Sequence, residues 1–111
     1  MSLQFAKIEA TASGNNVIVA GATFPQKRIR VLSFTFLTDA DVTVKWVSNA
    51  TDISGPMPIA ATGGMTCTSN YLAPGGPMAL LTTLEVEDDL ILNLSTTAIV
   101  GGFITYYAIS G

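Results

Sequence analysis

The stretch Lys27–Ser48, KRIRVLSFTFLTDADVTVKWVS, decides the fold class. In its first arm Leu32, Phe34 and Phe36 share one parity, and Ser33 and Thr35 share the other. In its second arm Val42, Val44 and Trp46 alternate with Thr43 and Lys45. A period of two is the signature of strands with one buried face. Between the arms, Thr38-Asp39-Ala40-Asp41 is a polar break, and Asp side chains favour turns because they bond nearby backbone N–H groups. The stretch therefore reads as a β-hairpin that sends Leu32, Phe34, Phe36, Val42, Val44 and Trp46 into a core. Its opposite face, Val31, Ser33, Thr35, Leu37 and Val47, carries too little charge for an ordinary wet surface and becomes a candidate subunit contact.

Outward from this stretch the same period recurs. Gln4 to Thr11 alternates Phe5, Lys7, Glu9 and Thr11 against Ala6, Ile8 and Ala10, and Ser13-Gly14-Asn15-Asn16 then breaks the pattern. Val17 to Ala20 is a short β-branched run. Asn49 to Gly64 is rich in Gly and Pro, leaving Met57 to Ala60 as a brief edge segment. Met65 to Leu72, Met78 to Leu84, Leu90 to Ser95 and Phe103 to Ile109 read as further strands. In the last of these both faces are apolar, as in a strand that is covered on two sides or meets a neighbour. No amphipathic run of helical period interrupts the series. Seven to nine short strands with turn signals about every ten residues indicate an all-β, two-sheet antiparallel sandwich. Without the paired Cys of true immunoglobulin domains, a jelly-roll-like arrangement is favoured.

At 111 residues the chain is expected to form one domain, residues 1–111. Charged residues make up only 12%, about half the usual share of about 25%, while 49% are apolar. That balance favours a homo-oligomer or a protein partner covering part of the surface. All five basic residues (Lys7, Lys27, Arg28, Arg30, Lys45) lie in the first 45 positions. Four of the eight acids (Glu85, Glu87, Asp88, Asp89) fall within five residues, so regions of opposite sign are expected on different faces or edges. MSLQFAKIEA lacks a basic segment followed by an apolar one, so no signal peptide is expected, and no apolar run is long enough to span a membrane.

The chemistry is sparse. With no His, the Ser-His-Asp and Cys-His nucleophile systems are excluded, and a single Cys67 allows neither a disulfide within the chain nor a thiolate zinc site. Cys67 is expected to be a buried structural thiol. The glycine pairs at 63/64, 75/76 and 101/102 lack the motif settings that cradle phosphate. Glu85, Glu87, Asp88 and Asp89 could supply oxygens to Ca²⁺, but they read first as a solvated turn. A pI near 4.5 argues against nucleic-acid binding. Trp46, Tyr71, Tyr106 and Tyr107 are the aromatics available for stacking on a sugar, although Trp46 has core parity. No catalytic residue, cofactor or metal ligand is assigned.

Taken together, NNVIVAG at 15–21, KRIRVLSFTF at 27–36, VTVKWVSNATDISGPMPIA at 42–60, LILNLSTTAIVGG at 90–102 and FITYYAIS at 103–110 resemble small virion proteins of tailed bacteriophages. The resemblance implies a jelly-roll cement or decoration protein on the outside of a capsid. Such a protein would be a homotrimer that contacts the major capsid protein, made in the host cytoplasm and without enzymatic activity. Other virion parts (tail, neck or fibre module) and a carbohydrate-binding lectin-like module are the alternatives. Candidate interface residues are Lys27, Arg28 and Arg30, the loop Pro56, Met57 and Pro58, and Tyr71 to Met78, which combine protruding loops with apolar or basic tips.

Overall fold

The computed structural model describes residues 3–68 and 79–110, which form two antiparallel sheets packed together. The strands are β1 (Gln4–Ala10), β2 (Gly14–Val19), β3 (Lys27–Thr38), β4 (Val42–Ser48), β5 (Thr51–Asp52), β6 (Met57–Ile59), β7 (Gly64–Thr68), β8 (Leu81–Thr82), β9 (Leu90–Leu94) and β10 (Val100–Ser110). One sheet runs β1-β10-β3-β7, with β8 further along the same edge of β3. The other runs β2-β9-β4-β5, with β6 also on β4. The pairings are nested: β1 with β10, β2 with β9, β3 with β7 and β8, β4 with β5 and β6. A long antiparallel ribbon folded over on itself has this connectivity, so the sandwich is jelly-roll-like.

The hairpin expected at Lys27–Ser48 does not form. β3 and β4 lie in different sheets, and both edges of β3 are taken, one by β10 and the other by β7 and β8. The polar break at Thr38–Asp41 is an arch between the sheets. Its side chains anchor neighbouring loops: Asp39 Oδ1 accepts the Ile99 N–H at 2.7 Å, and Asp41 Oδ1 accepts the Ala61 N–H at 2.7 Å. Two strands of a hairpin point their apolar faces the same way, whereas two strands of an arch point them at each other. Period two is satisfied by both arrangements, and here Phe34 meets Trp46 edge-on across the core at 5.3 Å between ring centroids.

A second correction concerns parity within β3. Ser33 pairs with Thr105 and Val31 with Tyr106, so Leu32 is an extra residue and the strand bulges there. Beyond the bulge the inward set becomes Val31 and Ile29, which join Phe34 and Phe36 in the inter-sheet core. Leu32 is buried outside that cluster, and Val31, expected on the opposite face, is inside it. Val47 is also buried, beside its cross-strand partner Ile91 and outside the inter-sheet cluster. Of the face proposed as a contact, only Leu37 is exposed, with Ser33 and Thr35 half-buried.

The core holds Trp46, Phe36, Ile8, Leu90, Leu92, Leu94 and Ile104, each at most 1% exposed. Trp46 is fully enclosed, and its indole N–H has no hydrogen-bond partner. Of the stretch Met78–Leu84, the described residues 79–84 hold the two-residue β8, extended by the Leu80 and Thr83 N–H groups donating to the carbonyls of Val31 and Ile29. Met65–Leu72 yields β7, and its remaining residues lie outside the described ones.

Phe34 packs against both Phe36 and Trp46, so Phe34→Ala is expected to cost about 3–5 kcal/mol in urea denaturation. Trp46→Phe is expected to cost far less, because the loss of volume is partly offset by removing a buried donor worth about 1–3 kcal/mol when unsatisfied.

Candidate functional site

The outer face of the β1-β10-β3-β7 sheet is the most unusual surface of the molecule. Alternation along β1 turns Phe5, Lys7 and Glu9 away from the core that Ile8 and Ala10 fill. Along β10 it turns Phe103 and Thr105 outward while Ile104 and Tyr106 face in. In the register, Phe5 lies opposite Thr105, Phe103 opposite both Lys7 and Thr35, and Leu37 opposite Gly101. Leu37, Phe103 and Phe5 are therefore successive diagonal neighbours across three strands, about 7–8 Å apart. They are 63%, 50% and 75% exposed, and Leu3 adds a further exposed apolar side chain two residues before Phe5.

Little on this face competes with that stripe. Its hydroxyls pair laterally, Ser33 with Thr105 and Thr35 with Thr66. Lys7 and Glu9 sit 3.9 Å apart and are themselves largely exposed, so their attraction contributes almost nothing to stability. Around the stripe the face is thus nearly neutral, hydroxyl-lined and crossed by large apolar groups, while Arg28 and Arg30, which form no ion pair among the described residues, lie at its other end. Single exposed apolar residues are ordinary, but a contiguous series on one sheet face marks an interaction surface.

The candidate residues do not form one site. Lys27 is exposed at the start of β3, and Arg28 and Arg30 are half-buried on the outer face, opposite Ile109 and Tyr107. Met57 and Pro58 belong to the other sheet, where they pair with Val44 and Thr43 and Met57 packs partly into the core, and Pro56 lies in the loop just before them. Tyr71 and Met78 lie outside the described residues. Leu37 belongs to the face that the sequence marks as a candidate subunit contact, whereas Phe5 and Phe103 are not among the candidates, although alternation places Phe5 with two charged residues. That mismatch was the available signal.

The acidic run 85–89 is a latch. Asp88 accepts hydrogen bonds from the Ser48 hydroxyl and the Asn49 amide, each at 2.8 Å. Asp89 Oδ1 accepts the Gly21 N–H at 2.8 Å, and Glu87 accepts the Gln26 N–H at 3.1 Å. These carboxylates join the loop before β9 to the end of β4 and to the segment leading into β3. The acidic and basic regions, expected on different faces, consequently share one end of the molecule: the Glu87 N–H donates to the Lys27 carbonyl. Among the described residues, no group of three or more Asp, Glu, Cys or His side chains is arranged to hold a metal ion.

Three of the four aromatics considered for sugar stacking are buried, Trp46 completely and Tyr106 and Tyr107 nearly so. Burial pushes the Tyr106 phenol above its ordinary pKa. Cys67 is half-buried against the core. An open groove of about 490 Å³ lies where β4 meets β6, but its polar groups are engaged: Asp41 holds Ala61, and Ser95 Oγ accepts the Thr43 N–H at 2.9 Å.

Asp89→Ala is expected to lower stability by about 1–3 kcal/mol in chemical denaturation, because the Gly21 N–H loses its acceptor. Gly21→Ala is expected to be at least as damaging, since an added Cβ would sit 2.2 Å from the Glu87 carbonyl oxygen. In contrast, the pair Phe5→Ser and Phe103→Ser is expected to change stability by only about 0.5 kcal/mol per site while reducing binding of a hydrophobic dye.

Comparison with protein-family models, with curated proteins and with solved structures gave no match.

Proposed function

We propose that this chain is a non-enzymatic structural protein of a bacteriophage virion, a cement or decoration protein that binds the outside of the capsid and stabilises it. The observation that carries the reading is the outer face of the β1-β10-β3-β7 sheet, with Phe5, Phe103 and Leu37 exposed in one diagonal. A rigid sheet is suited to this task. Its apolar side chains are held in place by the ladder beneath them, so little conformational freedom is lost when a partner covers them. The low charge content and the resemblance of the sequence segments to small virion proteins point the same way. The carboxylates of the 85–89 latch are engaged in internal hydrogen bonds, an arrangement that suits a scaffold.

In this reading the homotrimer and the major capsid protein share the exposed surface, and many weak contacts cross-link the shell. A sugar-binding role draws less support, because Trp46, Tyr106 and Tyr107 are buried. The test is co-sedimentation with capsids lacking the protein, combined with analytical ultracentrifugation of the free chain. Saturable binding that raises the disruption temperature of the shell is expected, together with a trimer in solution. Phe103→Ser is expected to weaken shell binding without unfolding the chain. A monomer that leaves shells unbound would overturn the proposal, and cryo-electron microscopy placing it in the tail, neck or fibre would reassign it.

A further inference from the structure

Three of the five basic residues, Lys27, Arg28 and Arg30, stand together at the start of β3. The ion pairs of the described residues are Lys7–Glu9 and Lys45–Asp52. All eight side-chain carboxylates of the chain are described, and none pairs with these three cations. Arg28 and Arg30 are two residues apart and pair with Ile109 and Tyr107, so they occupy the same outer face as Thr105 and Phe103. The Arg30 guanidinium carbon lies 5.5 Å from the centre of the Tyr107 ring, a stacking that fixes the plane of the group. In both arginines Nε is buried and has no hydrogen-bond partner. Two guanidinium forks have thus lost water at one donor each without gaining an acceptor.

We propose that Arg28 and Arg30, braced by Tyr107, form a receptor for an Asp or Glu side chain of a partner protein that covers the adjoining apolar stripe. Nε is enclosed in both arginines, so the contact falls to the Nη groups, whose paired N–H donors match the two oxygens of a carboxylate in a short and strongly directional pair. Tyr107 is four residues from Phe103 along β10, about 14 Å, so the two features fit beneath one docked protein. An apolar centre with Arg at its margin is the usual anatomy of a protein interface. The net charge of −3 works against a polyanion such as nucleic acid, which is attracted by an extended basic field. A second copy of this chain has few carboxylates to offer: Glu87, Asp88, Asp89, Asp39 and Asp41 are held by internal hydrogen bonds and Asp52 by Lys45, which leaves the exposed Glu85 and the loosely paired Glu9.

The identity of the partner as a shell protein rests on the function proposed above, but the receptor itself is tested without shells. Acetylated hexaglutamate is titrated into the labelled full chain at low salt by NMR, with inorganic phosphate and a single-stranded thymidine oligonucleotide as comparisons. Saturable shifts at Arg28, Arg30 and Tyr107 are expected. Affinity should fall about tenfold in Arg28→Gln/Arg30→Gln, and also in Arg30→Lys, which keeps the charge but loses the fork. Val17→Ser, on the other sheet, should leave hexaglutamate binding unchanged, and failure of shell binding with hexaglutamate binding intact would count against the virion reading and not against the receptor. Absence of saturable binding, shifts mapping elsewhere on the wild-type chain, equal affinity in Arg30→Lys, or tighter binding of phosphate or oligonucleotide would overturn the proposal. The wild-type mapping and Arg30→Lys keep the test decisive if the double variant does not fold.

Discussion

β10 is hydrogen-bonded along both edges, to β1 on one side and to β3 on the other, and the rest of the structure depends on that double pairing. Val100–Ser110 pairs with residues as early as Gln4 and with the whole length of Lys27–Thr38. Closing loops this long is entropically expensive, and the cost is met only when the inter-sheet core forms with them. β10 supplies that core directly, through Val100, Ile104 and Tyr106. With β10 on one edge of β3 and β7 and β8 on the other, no edge is left for β4, which begins a second sheet, and the arch at Thr38–Asp41 follows from that pairing on both sides.

Polar side chains finish what the ladders begin. This chain has few charges, and it uses most of its carboxylates as acceptors for backbone N–H groups where strands end. A jelly-roll-like sandwich has many such ends, and a buried N–H without an acceptor costs more than a typical hydrogen bond contributes. Asp39, Asp41, Asp88 and Asp89 each fix a loop from another part of the chain. A surface low in ion pairs follows from this economy: the described residues show two, both at least partly exposed.

What remains outside is a sheet face with an unusual division of labour. Hydroxyls bond to one another across strands, Lys7 and Glu9 neutralise each other, and Phe5, Phe103 and Leu37 stay uncovered. At its far end two arginines hold buried donors without acceptors. Apolar area without cover and guanidinium charges without a carboxylate are both relieved by the same event, the docking of another protein that brings one. That shared remedy is why the two features read as one surface.

The sequence by itself determined that this protein is built of strands, because period-two alternation in Gln4–Thr11, Leu32–Phe36, Val42–Trp46 and Leu90–Leu94 follows from the pleat of a single chain segment. It also placed Trp46, Phe34 and Phe36 in the core, since parity within one arm is local. Only the tertiary structure decided which strands pair. An arch and a hairpin bury the same side chains, and the bulge at Leu32, which exchanges Leu32 for Val31 in the core, arises from register with β10 and not from composition. The apolar diagonal was illegible for the same reason. Phe5, Leu37 and Phe103 are 32 and 66 residues apart in the chain, and they become neighbours only when two separate ladders are in register.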